Sequence, residues 1–166
     1  MDFLVSLKKI KKEFALKENI YFLILILLIF TFDRYAKLIV INNFSEQNYF
    51  VNDYINFDLI WNTGIGFGLL DTQSTLFYNF VTTLIGLVIL ILIYIMINSK
   101  NLDKLIYSTI IGGAIGNFYD RIAFKAVPDF IDLHYNNFHW FVFNLADVFI
   151  TIGILTLIIS EMLKKN

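Results

Sequence analysis

The 166-residue chain has no cysteine, one proline and two histidines, and only 16% of its residues are charged. Without cysteine, disulfides, thiolate nucleophiles and thiolate metal sites are excluded. His134 and His139 are the only imidazoles, and a zinc site usually takes three or four nitrogen or sulfur ligands, so no metal is expected. Charge is balanced as well as scarce: 13 Lys and Arg against 14 Asp and Glu leave a net −1, with no basic face for nucleic acid. What remains is apolar. The chain is 58% hydrophobic with a mean hydropathy of +0.68, whereas a soluble domain has about 45–50% apolar and about 25% charged residues. One integral membrane domain, with no room for a sizeable second core, is the expected class.

Crossing roughly 30 Å of hydrocarbon takes about 20 residues of helix. Four runs qualify: Ile20–Ile41, Leu76–Ile97, Lys104–Ile122 and Phe143–Leu163. The first exceeds the roughly 7–15 apolar residues of a secretory signal and lacks a small-residue cleavage site after it, so it reads as a retained helix. The third is weakest by hydropathy, carrying Ser108, Gly112, Gly113, Gly116, Asn117, Asp120 and Arg121. Basic residues set the direction. Lys8, Lys9, Lys11, Lys12 and Lys17 precede the first span, Lys100 and Lys104 lie between the second and third, and Lys164 and Lys165 follow the fourth. The segment Asn42–Ser74 has no Lys or Arg but has Glu46, Asp53, Asp58 and Asp71. Both termini are expected in the cytoplasm, with two loops outside.

Residues 1–19 mix Phe3, Leu4, Leu7, Ile10, Phe14 and Leu16 with lysines. They read equally as an amphipathic helix on the inner leaflet or as a solvated basic tail. In Tyr54–Asn62, Phe57, Leu59 and Trp61 alternate with Asn56, Asp58 and Asn62, as in a strand. Gly64, Gly66 and Gly68 follow, suited to turns or close backbone approach. A small extended platform at the outer surface is expected.

At about 1.5 Å per helical residue, the topology gathers the ionisable groups of the spans toward one leaflet. Asp33 lies in the outer half of span one with Lys37 a turn beyond. Asp120 and Arg121 end span three, and Asp147 begins span four. A charge at a span's centre costs about 2.5–3.5 kcal/mol on insertion scales, so several at one level call for a joint explanation. Asp33 and Lys37 can pair at i, i+4, and Asp120 with Arg121 can belong to a network joining helices. Asn144 and Asp147 have the spacing of a capping box. Gly113, Gly116, Asn117 and Asp120 form one small and polar face, while Gly112 and Gly116 make a GxxxG pair suited to tight helix packing. Asp129 and Asp132 lie in the external loop between the last two spans, and Asp129, beside Pro128, would alone be an ordinary turn residue.

With no thiol, metal set or serine beside a base, water is the available nucleophile. Two adjacent carboxylates cannot both ionise cheaply: one keeps a proton and the other acts as base. Such a pair can hydrolyse a peptide, serve a glycosidase or carry protons in a transporter, so the pattern selects a mechanism class and no substrate. A small proton-coupled transporter, with Asp33 and Asp120 as relay groups, and a membrane scaffold that tolerates loss of Asp147 remain the alternatives.

Five separated segments, "DRYAK" (33–37), "NTGIGFG" (62–68), "GGAIGNFYDR" (112–121), "VPDFID" (127–132) and "FNLAD" (143–147), occur in an order over nearly the whole chain that resembles the lipoprotein signal peptidases, or signal peptidase II. Pro128 departs from the valine usual at its position in that family; it stiffens the approach to Asp129 without removing the carboxylate. The resemblance implies an all-α integral membrane fold of four transmembrane helices with a small extracytoplasmic β-like platform. It makes Asp129 and Asp147 the catalytic dyad, with Asp33, Asn62, Gly64, Asn117, Asp120, Arg121 and Asn144 lining or supporting the site. It further implies an aspartic endopeptidase of the bacterial inner membrane, acting as a monomer near the outer leaflet without metal or organic cofactor. Its partners would be diacylglyceryl-modified prolipoproteins, cut just before the lipidated cysteine, together with membrane lipids and inhibitory cyclic-peptide antibiotics.

Overall fold

The computed structural model describes residues 17–44, 49–64, 75–136 and 138–164. The readings made for residues 1–16, Gly66, Gly68 and Lys165 lie outside them. Four helices and four strands follow in order: α1 (Lys17–Asn43), β1 (Tyr49–Asn52), β2 (Ile55–Asn62), α2 (Thr75–Asn98), α3 (Asn101–Phe124), β3 (Val127–Tyr135), β4 (Phe138–Phe143) and α4 (Leu145–Lys164). Each helix overlies one of the apolar runs and extends it by a few residues, except that α4 begins at Leu145 because Phe143 closes a strand. By length and composition, α2 and α4 are apolar enough to cross a membrane. All four helices turn large apolar side chains outward, among them Leu27, Leu28, Leu90, Ile91, Leu102, Ile122, Leu155 and Ile159.

α3 is the central helix because its small residues admit the others. A Cβ added at Gly112 would lie 2.8 Å from Ile29 Cβ of α1, and one at Gly113 would lie 2.5 Å from the carbonyl oxygen of Ala146 in α4. A Cβ at Gly116 would meet Asp33 Oδ2 at 2.6 Å. The GxxxG pair thus seats the Ile29–Asp33 face of α1, and Gly113 seats the first turn of α4. At the far end, Ile26, Met96, Ile97 and Ile111 form an apolar cluster. Beyond that cluster, Lys104 donates to Asn19 Oδ1 at 2.7 Å.

The strands make one antiparallel sheet in the order β1-β2-β3-β4. It is larger than the platform expected from Tyr54–Asn62, since the supposed loop after α3 is itself a hairpin. Lys125 takes a left-handed φ of 59° as the C-cap of α3, and the chain then runs directly into β3. Pro128 fits within β3 because β4 pairs only as far as Ile131↔Phe143, leaving an edge where no N–H is required. The expected alternation in β2 does not hold along its length. Phe57 pairs with Ile131 but Ile60 with Asp129, so a bulge shifts the register between them and leaves Ile60 and Trp61 exposed beside buried Asn62.

Candidate active site

Two polar layers meet where α1, α3 and α4 converge beneath the sheet. The first is ionic. Lys37 Nζ lies 2.7 Å from both Asp33 Oδ2 and Asp120 Oδ2, and all three residues are fully buried. Arg34 pairs with the other oxygen of Asp120 and lies over the rings of Tyr119 and Phe124, 4.9 and 5.6 Å from their centroids. Two cations thus neutralise two carboxylates, the condition under which such charges tolerate burial. Asp33 Oδ1 also accepts from the Ala146 N–H at 2.9 Å, tying the start of α4 to α1. Asp120 belongs to a network joining helices, as expected, but its second cation is Arg34, which sequence reading passed over, and Arg121 enters no ion pair among the described residues. Pairing Asp33 with Lys37 leaves Asp120 in need of a cation, and Arg34 stands one turn before Lys37. That count was the available signal.

The second layer holds Asp129 and Asp147, brought from β3 and α4 to one cavity of about 320 Å³. Its walls include Asn62, Asn117 and Arg121, with Ile85, Val127, Ile150 and Ile154 supplying apolar surface. Asn144 joins the acids: its Nδ2 donates to Asp129 Oδ1 at 2.6 Å and its backbone N–H to Asp147 Oδ2 at 3.1 Å. Asn144 Oδ1 in turn accepts the Asp147 N–H at 3.1 Å, completing a reciprocal cap on α4. Asp147 therefore sits in the first turn both as a capping partner and as a wall of the cavity.

Asn62, Asn117 and Asn144 follow one rule. Each amide oxygen is held by an N–H donor, which turns the NH2 toward a carboxylate. Asn62 Oδ1 accepts from Gly64 N–H at 2.9 Å while its Nδ2 donates to Asp129 Oδ2 at 2.8 Å. Asn117 Oδ1 accepts from Lys37 Nζ at 2.8 Å while its Nδ2 donates to Asp147 Oδ1 at 2.8 Å. Lys37 thereby couples the ionic layer to the acid pair. Burial, followed by the charge of Asp147, pushes the Asp129 carboxyl up to about 7 from the ordinary 3.8.

Of the residues expected at the site, Asn62, Asn117, Arg121, Asp129 and Asp147 line the cavity. Asn144 lies behind the acids, and Gly64 acts through Asn62. Asp33 and Asp120 stand one layer back, in contact with Lys37. Among the described residues Arg121 forms no ion pair and its buried Nε has no partner, while its carbonyl accepts from Tyr78 Oη at 3.1 Å.

The family model described as "Signal peptidase (SPase) II" matches residues 25–163. The chain belongs to the signal peptidase II family. The lipoprotein signal peptidase of Pelagibacter ubique (strain HTCC1062) is 46% identical over 153 residues, covering 90% of this chain and 92% of that one. The enzyme of the same description from Dichelobacter nodosus (strain VCS1703A) is 37% identical, covering 90% and 97%. A solved structure titled "Bacterial membrane enzyme structure by the in meso method at 2.3 A resolution" matches with a TM-score of 0.75 at 26% identity, covering 88% of this chain and 90% of that one. A second, titled in the same words at 1.9 Å, gives 0.69 at 26% identity. As a signal peptidase II the chain is a peptidase of a membrane-enzyme family, and the acids above have a reaction class to be tested against.

Proposed function

We propose that this signal peptidase II is an aspartic endopeptidase of the bacterial inner membrane that removes the signal peptide from diacylglyceryl-modified prolipoproteins, cutting before the lipidated cysteine. The observation that carries the reading is the shared wall: Asp129 and Asp147 face one cavity and are joined through Asn144. The relatives' printed names supply the substrate class.

The pair holds one proton between its members in the resting state. Titrating near 7, Asp129 carries it. Asp147, whose oxygens accept from the Asn144 N–H and from Asn117, is the base of the pair. Asp147 removes a proton from water as its oxygen attacks the scissile carbonyl carbon. Asp129 donates to the carbonyl oxygen; as the C–N bond breaks, Asp147 passes the proton taken from water to the leaving amine and Asp129 recovers its own from the diol oxygen. Arg121, on the same wall, offers guanidinium donors to the bound peptide backbone.

All four helices span the bilayer in this reading, with both termini cytoplasmic and the sheet at the outer surface. The outward apolar side chains of α1 and α3 support spanning by helices whose charges face inward. A proton carrier would need titratable groups through both halves, whereas below the ionic layer Ile26, Met96, Ile97 and Ile111 pack as an apolar cluster.

The test is gel-shift cleavage of a precursor with and without its diacylglyceryl group. Cleavage that requires the lipid and disappears in Asp129→Asn and Asp147→Asn, both folded and membrane-inserted, is expected. Normal turnover in either variant refutes the dyad.

A further inference from the structure

The two histidines, set aside in sequence as too few for zinc, meet a third ligand in the sheet. His134 of β3 and His139 of β4 are direct partners across the hairpin. Their rings stack with centroids 5.2 Å apart and planes at 21°. Asp132 lies two residues before His134, hence on the same face of the strand, and the register shift between Asp132 and His134 draws β4 around it. One ligand atom from each of the three lies within 4.8 Å of the others. Asp132 Oδ2 is 2.8 Å from His139 Nδ1 and 3.8 Å from His134 Nδ1.

Two atoms of the cluster lack partners that burial ordinarily demands. Among the described residues, His134 Nδ1 and Asp132 Oδ1 are buried without a hydrogen bond, on side chains only 9% and 6% exposed. An unsatisfied buried polar atom costs about 1–3 kcal/mol, so His134 Nδ1, facing Asp132 Oδ2 at 3.8 Å without a bond, points to a missing ligand. At metal–ligand distances of about 2.0–2.1 Å, tetrahedral geometry separates neighbouring ligand atoms by about 3.3 Å. The two observed separations bracket that value. The His139 side chain is 56% exposed, which leaves an entry path and an open coordination position.

We propose that Asp132, His134 and His139 form a binding site for a zinc-class divalent cation, clipping β3 to β4. Two imidazoles and a carboxylate suit zinc or cobalt rather than calcium or magnesium, which take oxygen ligands. The site is separate from the acid pair. Asp132 is three residues from Asp129, so the two side chains leave opposite faces of β3, about 10 Å apart along the strand. Its role is to fix the hairpin rather than to enter the reaction.

The experiment uses the tag-free full chain in detergent micelles, titrated with Co²⁺ as a spectroscopic stand-in for zinc and then with Zn²⁺ in competition. One Co²⁺ per chain is expected, with a tetrahedral d–d absorption that Zn²⁺ displaces. Affinity should fall by at least about tenfold in His139→Ala, His134→Ala and Asp132→Asn. His139→Ala alters an exposed side chain, and its unfolding midpoint without metal reports that the fold is intact. Added Zn²⁺ should raise that midpoint in the wild type and leave it unmoved in the variant. No stoichiometric uptake, or uptake unchanged in the variants, overturns the site. Peptide cleavage is not a readout, so failure of the dyad assignment would leave this result standing.

Discussion

Replacing Asp129 by Asn keeps the side chain's shape and removes its charge, and the fold then predicts two stability curves that cross. The wild-type carboxyl titrates at about 7 when folded and at 3.8 ordinarily. A carboxyl whose folded pKa is raised binds its proton more tightly in the native state than in the unfolded one. Its contribution is therefore complete below 3.8 and is lost as pH rises through about 7. At about 1.36 kcal/mol per unit, that interval corresponds to a loss on the order of 4 kcal/mol, which the Asn variant does not suffer. In acid the variant is the weaker protein. Asp129 accepts from both Asn62 and Asn144, whereas an amide has one acceptor oxygen. One donor faces an NH2, at a cost of about 1–3 kcal/mol. The variant should be less stable than wild type near pH ~4.5 and more stable near pH ~8, with cleavage abolished at both. Denaturant unfolding in micelles, followed by the fluorescence of Trp61 and Trp140, measures the difference. Parallel curves with a constant offset would refute both the raised titration of Asp129 and the assignment of its proton.

Other expectations follow from single contacts. If Asp129 must carry a proton, kcat should decline above about pH 7, and a flat profile to pH ~9 would contradict this role. Lys37→Met leaves Asp33 and Asp120 facing each other with Arg34 as the remaining cation; by analogy with broken buried pairs it should cost about 3–5 kcal/mol, measured by unfolding in micelles. Gly113→Ala drives a Cβ into the Ala146 carbonyl at 2.5 Å, so the start of α4 must shift. A loss of about 1–3 kcal/mol is expected, with kcat falling while KM holds. Asn144→Ala removes the cap of α4 and the bridge between the acids. It should cost about 0.5–2 kcal/mol in stability and a larger share of activity, which kinetics and melting read separately.

Legibility followed the range of the interactions. The helices were visible because hydropathy and i, i+4 hydrogen bonding act within a few residues. The ends of α1, α2 and α3 therefore fall within a few positions of the apolar runs. The cap of α4 by Asn144 and Asp147 is a three-residue motif, equally local. The sheet was mostly hidden. "VPDFID" and Phe138–Phe143 form strands because they pair with β2 and with each other, and pairing is not written in either segment alone. The bulge in β2 defeated the alternation read there, since one extra residue reverses the facing of all that follow.

Composition, by itself, determined that this chain must bury little and expose apolar helices, because too few charges exist to solvate its surface. The order of its motifs determined the family. Which cation answers Asp120, how three asparagine amides are turned, and that two histidines find an aspartate were decided only by tertiary structure. Each depends on groups from different elements arriving at hydrogen-bond distance, and a separation of 86 residues between Arg34 and Asp120 leaves no trace in local pattern.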